Sequence, residues 1–416
     1  MVDFRLSDSE QSLFDRAMDF AKTHIVPNAV EYDHADKIPI DVCQKAYEAG
    51  FMNCHIPKAA GGPELSLLEE TLIFEAMGYG DPGVATSINV NNLAFAPLVI
   101  GATIEQLQKY VQPFVTSDKV KFGAFCLTER EAGSDASATK TIAVKDGNGW
   151  SITGKKCWIT NAPVADLFTV FAQTQPGSGY KGMAVFMVQK ERGVKIGHIE
   201  NKIGQRASSQ SEVFFDNVWV PDDCLVGEVG KGFHIAMMTL DKTRAGIASI
   251  ATGVCQRCVD EASKFAITRK AFGKPIMKNQ AISFMIADMA AKTEAARILT
   301  RQAAWMADNH IKNSYYSAIG KMMASDFAMQ NATDCVQIMG GYGYAEEYGI
   351  GTLFRGAKLL QIYEGTNQIQ RIVIAGELEK RARSLKTGFK LKYAGVDAVD
   401  HGWDPATPPE HLKKEK

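Results

Sequence analysis

The chain has 416 residues, 46% of them hydrophobic, and a formal net charge of -1. That length exceeds what one core usually holds, so two or three domains are expected, and the near-neutral balance gives no electrostatic case for nucleic acid. Eight Cys are scattered through it, which fits reduced thiols in a cytosolic setting rather than a disulfide framework.

The opening Met1-Val2-Asp3-Phe4-Arg5-Leu6-Ser7-Asp8-Ser9-Glu10 is polar and acidic and does not read as a secretory or organellar presequence. From Leu6 the pattern is helical, with Leu13, Phe14, Ala17, Met18 and Ala21 three and four apart. Ser7 followed by Glu10 reads as a capping box that opens the first helix. Pro27, Gly61-Gly62-Pro63 and Asp81-Pro82-Gly83 divide the later helices. Residues 1–122 therefore read as an all-helical domain. The charge-free run from Val84 to Ile104 has membrane-spanning length, but Ser87, Asn89, Asn91, Asn92 and Pro97 interrupt it. It reads as a buried helix with its approach loop, not as a membrane span.

Near Gly123 the period changes from helical to alternating. Short β-rich segments follow at Thr141–Val144, Trp150–Thr153, Leu167–Phe171, Met183–Val188 and Glu212–Val220, separated by turns such as Asp146-Gly147-Asn148-Gly149. An antiparallel β-barrel or sandwich over residues 123–229 is expected. After Val229-Gly230-Lys231-Gly232 the helical period returns in long amphipathic runs, Gly246 to Arg269, Gln280 to Asn309 and Ser314 to Met339, which predicts a C-terminal four-helix bundle over 230–383. Residues 384–416 mix Gly, Pro and charge and read as a tail. The whole is a multi-domain α+β architecture. Cys255-Gln256-Arg257-Cys258 lies inside a helical run with no second pair and no nearby His, so it does not read as a metal site.

Near the C-terminus, Glu364 sits between an apolar run, Leu359, Leu360, Ile362 and Tyr363, and the helix break Gly365-Thr366. Apolar surroundings disfavour the charged carboxylate and bring its pKa toward the range useful to a general base, and Gly365 lets backbone approach a ligand. Alone, the same residues also describe a surface Glu capped by Gly.

Tyr363-Glu364-Gly365-Thr366-Asn367-Gln368-Ile369-Gln370-Arg371 resembles the C-terminal signature of the acyl-CoA dehydrogenases, and further blocks match that family in the same order. In Phe125-Cys126-Leu127-Thr128-Glu129-Arg130-Glu131-Ala132-Gly133-Ser134-Asp135, the resemblance implies flavin contacts from Phe125, Leu127, Thr128, Gly133 and Ser134, with Ser134 also approaching substrate. The usual form has Pro-Gly where this chain has Arg130-Glu131, which bears on the turn geometry. Trp158, Ile159 and Thr160 match a second flavin block; by residue type alone a buried core Trp is the ordinary reading. In Leu240-Asp241-Lys242-Thr243-Arg244 the resemblance places Asp241 and Arg244, with Gly365, at the substrate. Some branches carry the catalytic Glu on this helix, where Thr243 stands here, so Glu364 is the one candidate base. Arg269, Phe272, Gln280, Gln337, Ile338, Gly340 and Gly341 correspond to residues that reach the FAD of a neighbouring subunit, and Thr366 and Gln368 to flavin contacts beside the base. Gly376 stands where relatives commonly have Arg.

The resemblance implies FAD as cofactor and an acyl-CoA substrate oxidised to the trans-2-enoyl-CoA. It also implies electron-transferring flavoprotein as acceptor and a homotetramer built as paired dimers. It places the protein in a bacterial-type cytoplasm, or in the mitochondrial matrix once a presequence has been removed. Two other readings stay open: an acyl-CoA oxidase or flavin monooxygenase on the same scaffold, and a non-catalytic helical binding protein.

Overall fold

The computed structural model describes residues 5–384 and a short antiparallel pairing of Lys392–Tyr393 with Val396–Asp397; the rest of the expected tail lies outside the described residues. Seven helices come first: α1 (Asp8–Phe20), α2 (Ala29–Ala35), α3 (Ile40–Glu48), α4 (Leu67–Gly80), α5 (Pro82–Gly101), α6 (Ile104–Tyr110) and α7 (Pro113–Thr116). The capping box at the head of α1 is present, with the Ser7 hydroxyl accepting from the Glu10 N–H and the Glu10 carboxylate accepting from the Ser7 N–H.

Helix α5 is the run of spanning length, and 83% of its most apolar window is buried inside the protein. Its Asn residues are buried hydrogen-bonding centres. Asn91 accepts from the Gly123 N–H at 2.8 Å and donates to the Asn53 side chain at 2.9 Å, and Asn92 accepts from the Cys54 N–H at 3.0 Å. Buried carboxamides with partners of this kind tie loops to a core helix.

Eight strands follow: β1 (Phe122–Cys126), β2 (Ile142–Asp146), β3 (Gly149–Thr160), β4 (Ala165–Gln173), β5 (Met183–Gln189), β6 (Lys195–Ile199), β7 (Gln210–Pro221) and β8 (Leu225–Val226). They form one sheet in the order β6-β7-β3-β2-β4-β5-β8, with β1 added alongside β4. The pairing is antiparallel as expected except for β1 with β4 and the single contact of β2 with β4, which are parallel. Strands β1, β6 and the two-residue β8 are too short to carry a clear alternation in the sequence and were not among the expected segments.

The remaining helices are α8 (Gly232–Thr268), α9 (Gln280–Asp308), α10 (Ser314–Met339), the short α11 (Gly341–Tyr344), α12 (Ile350–Leu360) and α13 (Asn367–Ser384). Helix α8 begins at Gly232, where the helical period was expected to return, and extends the amphipathic run from Gly246 toward the N-terminus; one face of its first turns packs on the sheet, with Ile235 and Ala236 in the β-domain core. Helices α4 and α8 cross at two glycines: a Cβ on Gly253 would lie 2.0 Å from the Glu75 carbonyl oxygen, and one on Gly78 would lie 2.3 Å from that of Ile250. That close crossing joins the first helical layer to the bundle in one core.

Candidate active site

Three elements of the bundle converge on the loop between α12 and α13. Glu364 and Gly365 both take left-handed backbone, φ 54° and 82°, so the chain turns sharply and lifts the Glu364 side chain toward α8. There the Thr243 hydroxyl lies 3.4 Å from a Glu364 carboxylate oxygen, while also bonding the Thr239 carbonyl at 3.0 Å. Arg244, 4% exposed, is held by Asp241 at 2.6 Å, which in turn accepts from the Ser314 hydroxyl at 2.5 Å. The buried Nε of Arg244 has no acceptor among the described residues. From α10, the fully buried Lys321 ammonium donates to the Gly365 carbonyl at 2.8 Å and to the Asn367 side chain at 3.0 Å. Gln370 donates to the Gly365 and Glu364 carbonyls at 2.9 and 3.1 Å. From the first domain, Thr86 gives its proton to Gln205, so the Tyr363 hydroxyl donates to Thr86 at 3.0 Å.

The electrostatics follow from burial. The Glu364 carboxyl is pushed up to about 7 by desolvation, against the pull of Arg244, Lys321 and Thr243. Burial drives Lys321 the other way, down to about 7, with Glu364 opposing and Arg244 adding to the fall. A carboxylate brought near neutrality by desolvation is suited to taking a proton from a weak carbon acid. No acceptor among the described residues takes the Glu364 backbone N–H, which leaves a donor beside the carboxylate for a developing oxyanion.

The second group of expected residues lies on the β-domain. Strand β3 is bulged between Lys156 and Ile159, and Trp158 sits on the bulge with φ 59° and 54% of its surface exposed. The ordinary core reading of this Trp does not hold: the bulge re-aims it outward, which leaves an indole face open to stack on a planar ring. The Thr128 carbonyl accepts from the Cys157 N–H at 3.0 Å, beside Trp158, and the Thr160 hydroxyl accepts from Gln210 at 3.0 Å, so Thr128 and Thr160 flank the bulge that carries Trp158. Gly133 and Ser134 are exposed, Phe125 is half-buried, and Leu127 and Ile159 point into the β core. The Arg130-Glu131 pair forms a tight turn in which Glu129 and Ala132 exchange backbone hydrogen bonds at 3.0 and 3.1 Å, and neither turn residue takes a positive φ. The loss of Pro-Gly therefore leaves the turn closed.

Beneath that turn lies an ion pair that the sequence reading did not single out. The fully buried Lys156 ammonium donates to Glu129 at 2.8 Å, to the Leu127 carbonyl at 3.0 Å and to Thr139 at 3.1 Å. Glu129 also accepts from Thr139, Thr141 and the Lys140 N–H. Burial pushes its carboxyl up, but Lys156 and these donors outweigh it and hold it at about 2.

The third group does not join the other two. Arg269, Ile338, Gly340 and Gly341 line a surface pocket of about 510 Å³, where the Arg269 guanidinium stands 5.5 Å from the Tyr342 ring centroid. Added Cβ atoms at Gly340 and Gly341 would meet nothing within 4 Å, so the backbone there is open to a ligand. Phe272, at the tip of a two-strand hairpin, is 99% exposed, and Gln280 and Gln337 are exposed. Thr366 and Gln368 line a smaller pocket of about 280 Å³ with Asp326 and Arg371.

Three family models match the chain in order: acyl-CoA dehydrogenase N-terminal domain over residues 7–118, middle domain over 124–218 and C-terminal domain over 230–379. The protein belongs to the acyl-CoA dehydrogenase family. It is 40% identical over 382 residues to the mitochondrial short-chain specific acyl-CoA dehydrogenase of Bos taurus, covering 91% of this chain and 92% of that one. It is 37% identical over 377 residues to the probable acyl-CoA dehydrogenase fadE25 of Mycobacterium bovis, covering 90% and 96%. Among solved structures, butyryl-CoA dehydrogenase from Megasphaera elsdenii superposes with a TM-score of 0.88 at 37% identity, covering 91% of this chain and all of that one. A chain from a study of the electron transferring flavoprotein of Acidaminococcus fermentans and flavin-based electron bifurcation gives 0.88 at 40% identity, covering 91% and 99%. The protein is thus an FAD-dependent oxidoreductase of this family. The exposed Trp158 and the open glycines beside Arg269 are features that a bound FAD fits.

Proposed function

We propose that this acyl-CoA dehydrogenase oxidises a short acyl-CoA thioester between its α and β carbons, with Glu364 as the base that removes the α-proton. The single observation that supports this most strongly is the geometry of Glu364: a left-handed residue in a loop pinned from three helices, its carboxyl raised to about 7 by burial. Bound FAD supplies the acceptor for the β-hydride. Trp158, Thr128 and Thr160 would hold its ring. Thr366 and Gln368 would meet it beside the base.

The free N–H of Glu364 would bind the thioester oxygen and stabilise the enolate-like charge that grows as the proton leaves. Asp241, Arg244 and Ser134 would line the substrate. The Arg269 pocket and the hairpin tip at Phe272 sit apart from Glu364, so they would serve the FAD of a neighbouring copy in a homotetramer of paired dimers. Gln280, Gln337, Ile338, Gly340 and Gly341 would belong to that same contact. Electrons would leave to electron-transferring flavoprotein. Domain limits near residues 122 and 229 and the tail from 384 complete the proposed organisation.

The test is anaerobic addition of butyryl-CoA to the purified yellow protein. Bleaching of the flavin absorbance that fails in Glu364→Gln, while that variant still carries FAD, is the expected result. Bleaching at the wild-type rate in Glu364→Gln would remove Glu364 as the base. Fast reoxidation of the bleached enzyme by air would point instead to the oxidase.

A further inference from the structure

Lys321 lies in the middle of α10, and its side chain is fully buried on a face shared with Ala318, Ala324, Ser325 and Ala328. An ammonium so far from water persists only where acceptors take up its protons. Both of its acceptors, the Gly365 carbonyl at 2.8 Å and the Asn367 side chain at 3.0 Å, belong to the segment that follows Glu364. Asn367 is fixed in turn by Ser325 at 2.9 Å and Asp326 at 2.7 Å.

The backbone that Lys321 grips is strained. Glu364 has φ 54° without being glycine, a conformation that survives only when its surroundings over-determine it. Gln370 grips the same Gly365 carbonyl from α13 at 2.9 Å, so that one carbonyl is clamped from two helices. The charged groups facing Lys321 are Glu364 from the loop, Arg244 from α8 and Asp326 from α10 itself.

We propose that Lys321 is a positioning residue for the dehydrogenation: by pinning the Gly365 carbonyl from behind, it holds the Glu364 carboxylate and its free backbone N–H in register with each other and with the substrate. The inference rests on Glu364 being the base. Among the described residues the Lys321 ammonium bonds only the segment that follows Glu364. It acts through the loop and, in the pH range where it is protonated, through a positive charge near the carboxylate.

The test compares the holoenzyme with Lys321→Met, which keeps the length of the side chain, and with Lys321→Gln, which keeps a donor but no charge. Lys321→Met is expected to retain fold and flavin absorbance and to lose kcat by roughly 100-fold with KM nearly unchanged, as misplacement of a reacting group does. The acidic limb of its kcat/KM profile should move to higher pH, because removing a cation disfavours the charged carboxylate. Lys321→Gln should recover part of kcat but none of the pH shift. An infrared pH titration of the carboxyl band that vanishes in Glu364→Gln, done on oxidised enzyme without substrate, should show the same upward shift with no turnover involved.

A flavin-loaded Lys321→Met with wild-type kcat and an unmoved acidic limb would overturn the proposal. If the Met variant does not fold, an unmoved limb and band in Lys321→Gln would do so. Full activity in Glu364→Gln would instead remove the underlying base assignment, and that outcome is read from a different variant.

Discussion

At the scale of single residues, Glu364 combines two costs that a structural role would not require. Its backbone sits in the left-handed region and its carboxyl is pushed to about 7 by burial. The free enzyme should therefore show kcat/KM rising through about pH 7 and levelling above it, measured with a short acyl-CoA and a dye acceptor. The same shift has a consequence for stability. The folded state binds this proton more tightly than the unfolded chain, whose Glu has the ordinary value of 4.5. Stability from this group is therefore complete below that value and is lost as pH rises through about 7. Glu364→Gln is expected to melt above the wild type at pH 8, with the gap closing toward pH 5; a gap independent of pH would show that the burial effect is misjudged. Lys321, in contrast, carried no motif. What could have revealed it is periodicity: it falls on the helix stripe of Ser317, Ala318, Ala324, Ser325 and Ala328, where a solvated Lys has no place.

At the scale of elements, the loop from Phe125 to Ser134 was legible as a block, but the reason it holds its shape was not. Glu129 and Lys156 are 27 residues apart in the chain and meet only because the bulged strand β3 runs back beside the turn. Removing Lys156 leaves a buried carboxylate short of its strongest partner, a change that typically costs about 3 kcal/mol. Lys156→Met should lower the melting temperature and release FAD during gel filtration, seen as a fall in the flavin-to-protein absorbance ratio. An unchanged ratio would mean the loop does not depend on the pair. The pair also sets an acid limit: Glu129, held at about 2, contributes stability above its ordinary 4.5 that is lost as pH falls toward 2. Trp158 shows the same division. Its neighbours in sequence read as a strand, but the bulge that turns it outward is a product of pairing with β7.

At the scale of the whole molecule, the site exists because helices from separate stretches share one core. The α4–α8 crossing is the joint, and its glycines are there because carbonyl oxygens from the facing helix occupy the space a methyl would need. Gly253→Ala should destabilise by about 2 kcal/mol or more through overpacking. Gly376→Ala, in α13 where an added Cβ meets nothing, should stabilise by about 0.5–1 kcal/mol. Thermal melts of the two variants should therefore move in opposite directions, and a tolerant Gly253→Ala would show that α4 and α8 can part without loss.

The sequence by itself determined the order of helical, β and helical regions, the capped start of α1, the buried fate of α5 and the candidate base, because each depends on local periodicity, capping chemistry or a contiguous motif. Tertiary structure alone decided which charges stand behind that base, which way Trp158 faces and how the turn at Arg130-Glu131 closes. Those depend on residues distant in the chain meeting in a medium of low polarity, where a few ångströms set both the proton affinity of Glu364 and the backbone it hangs from.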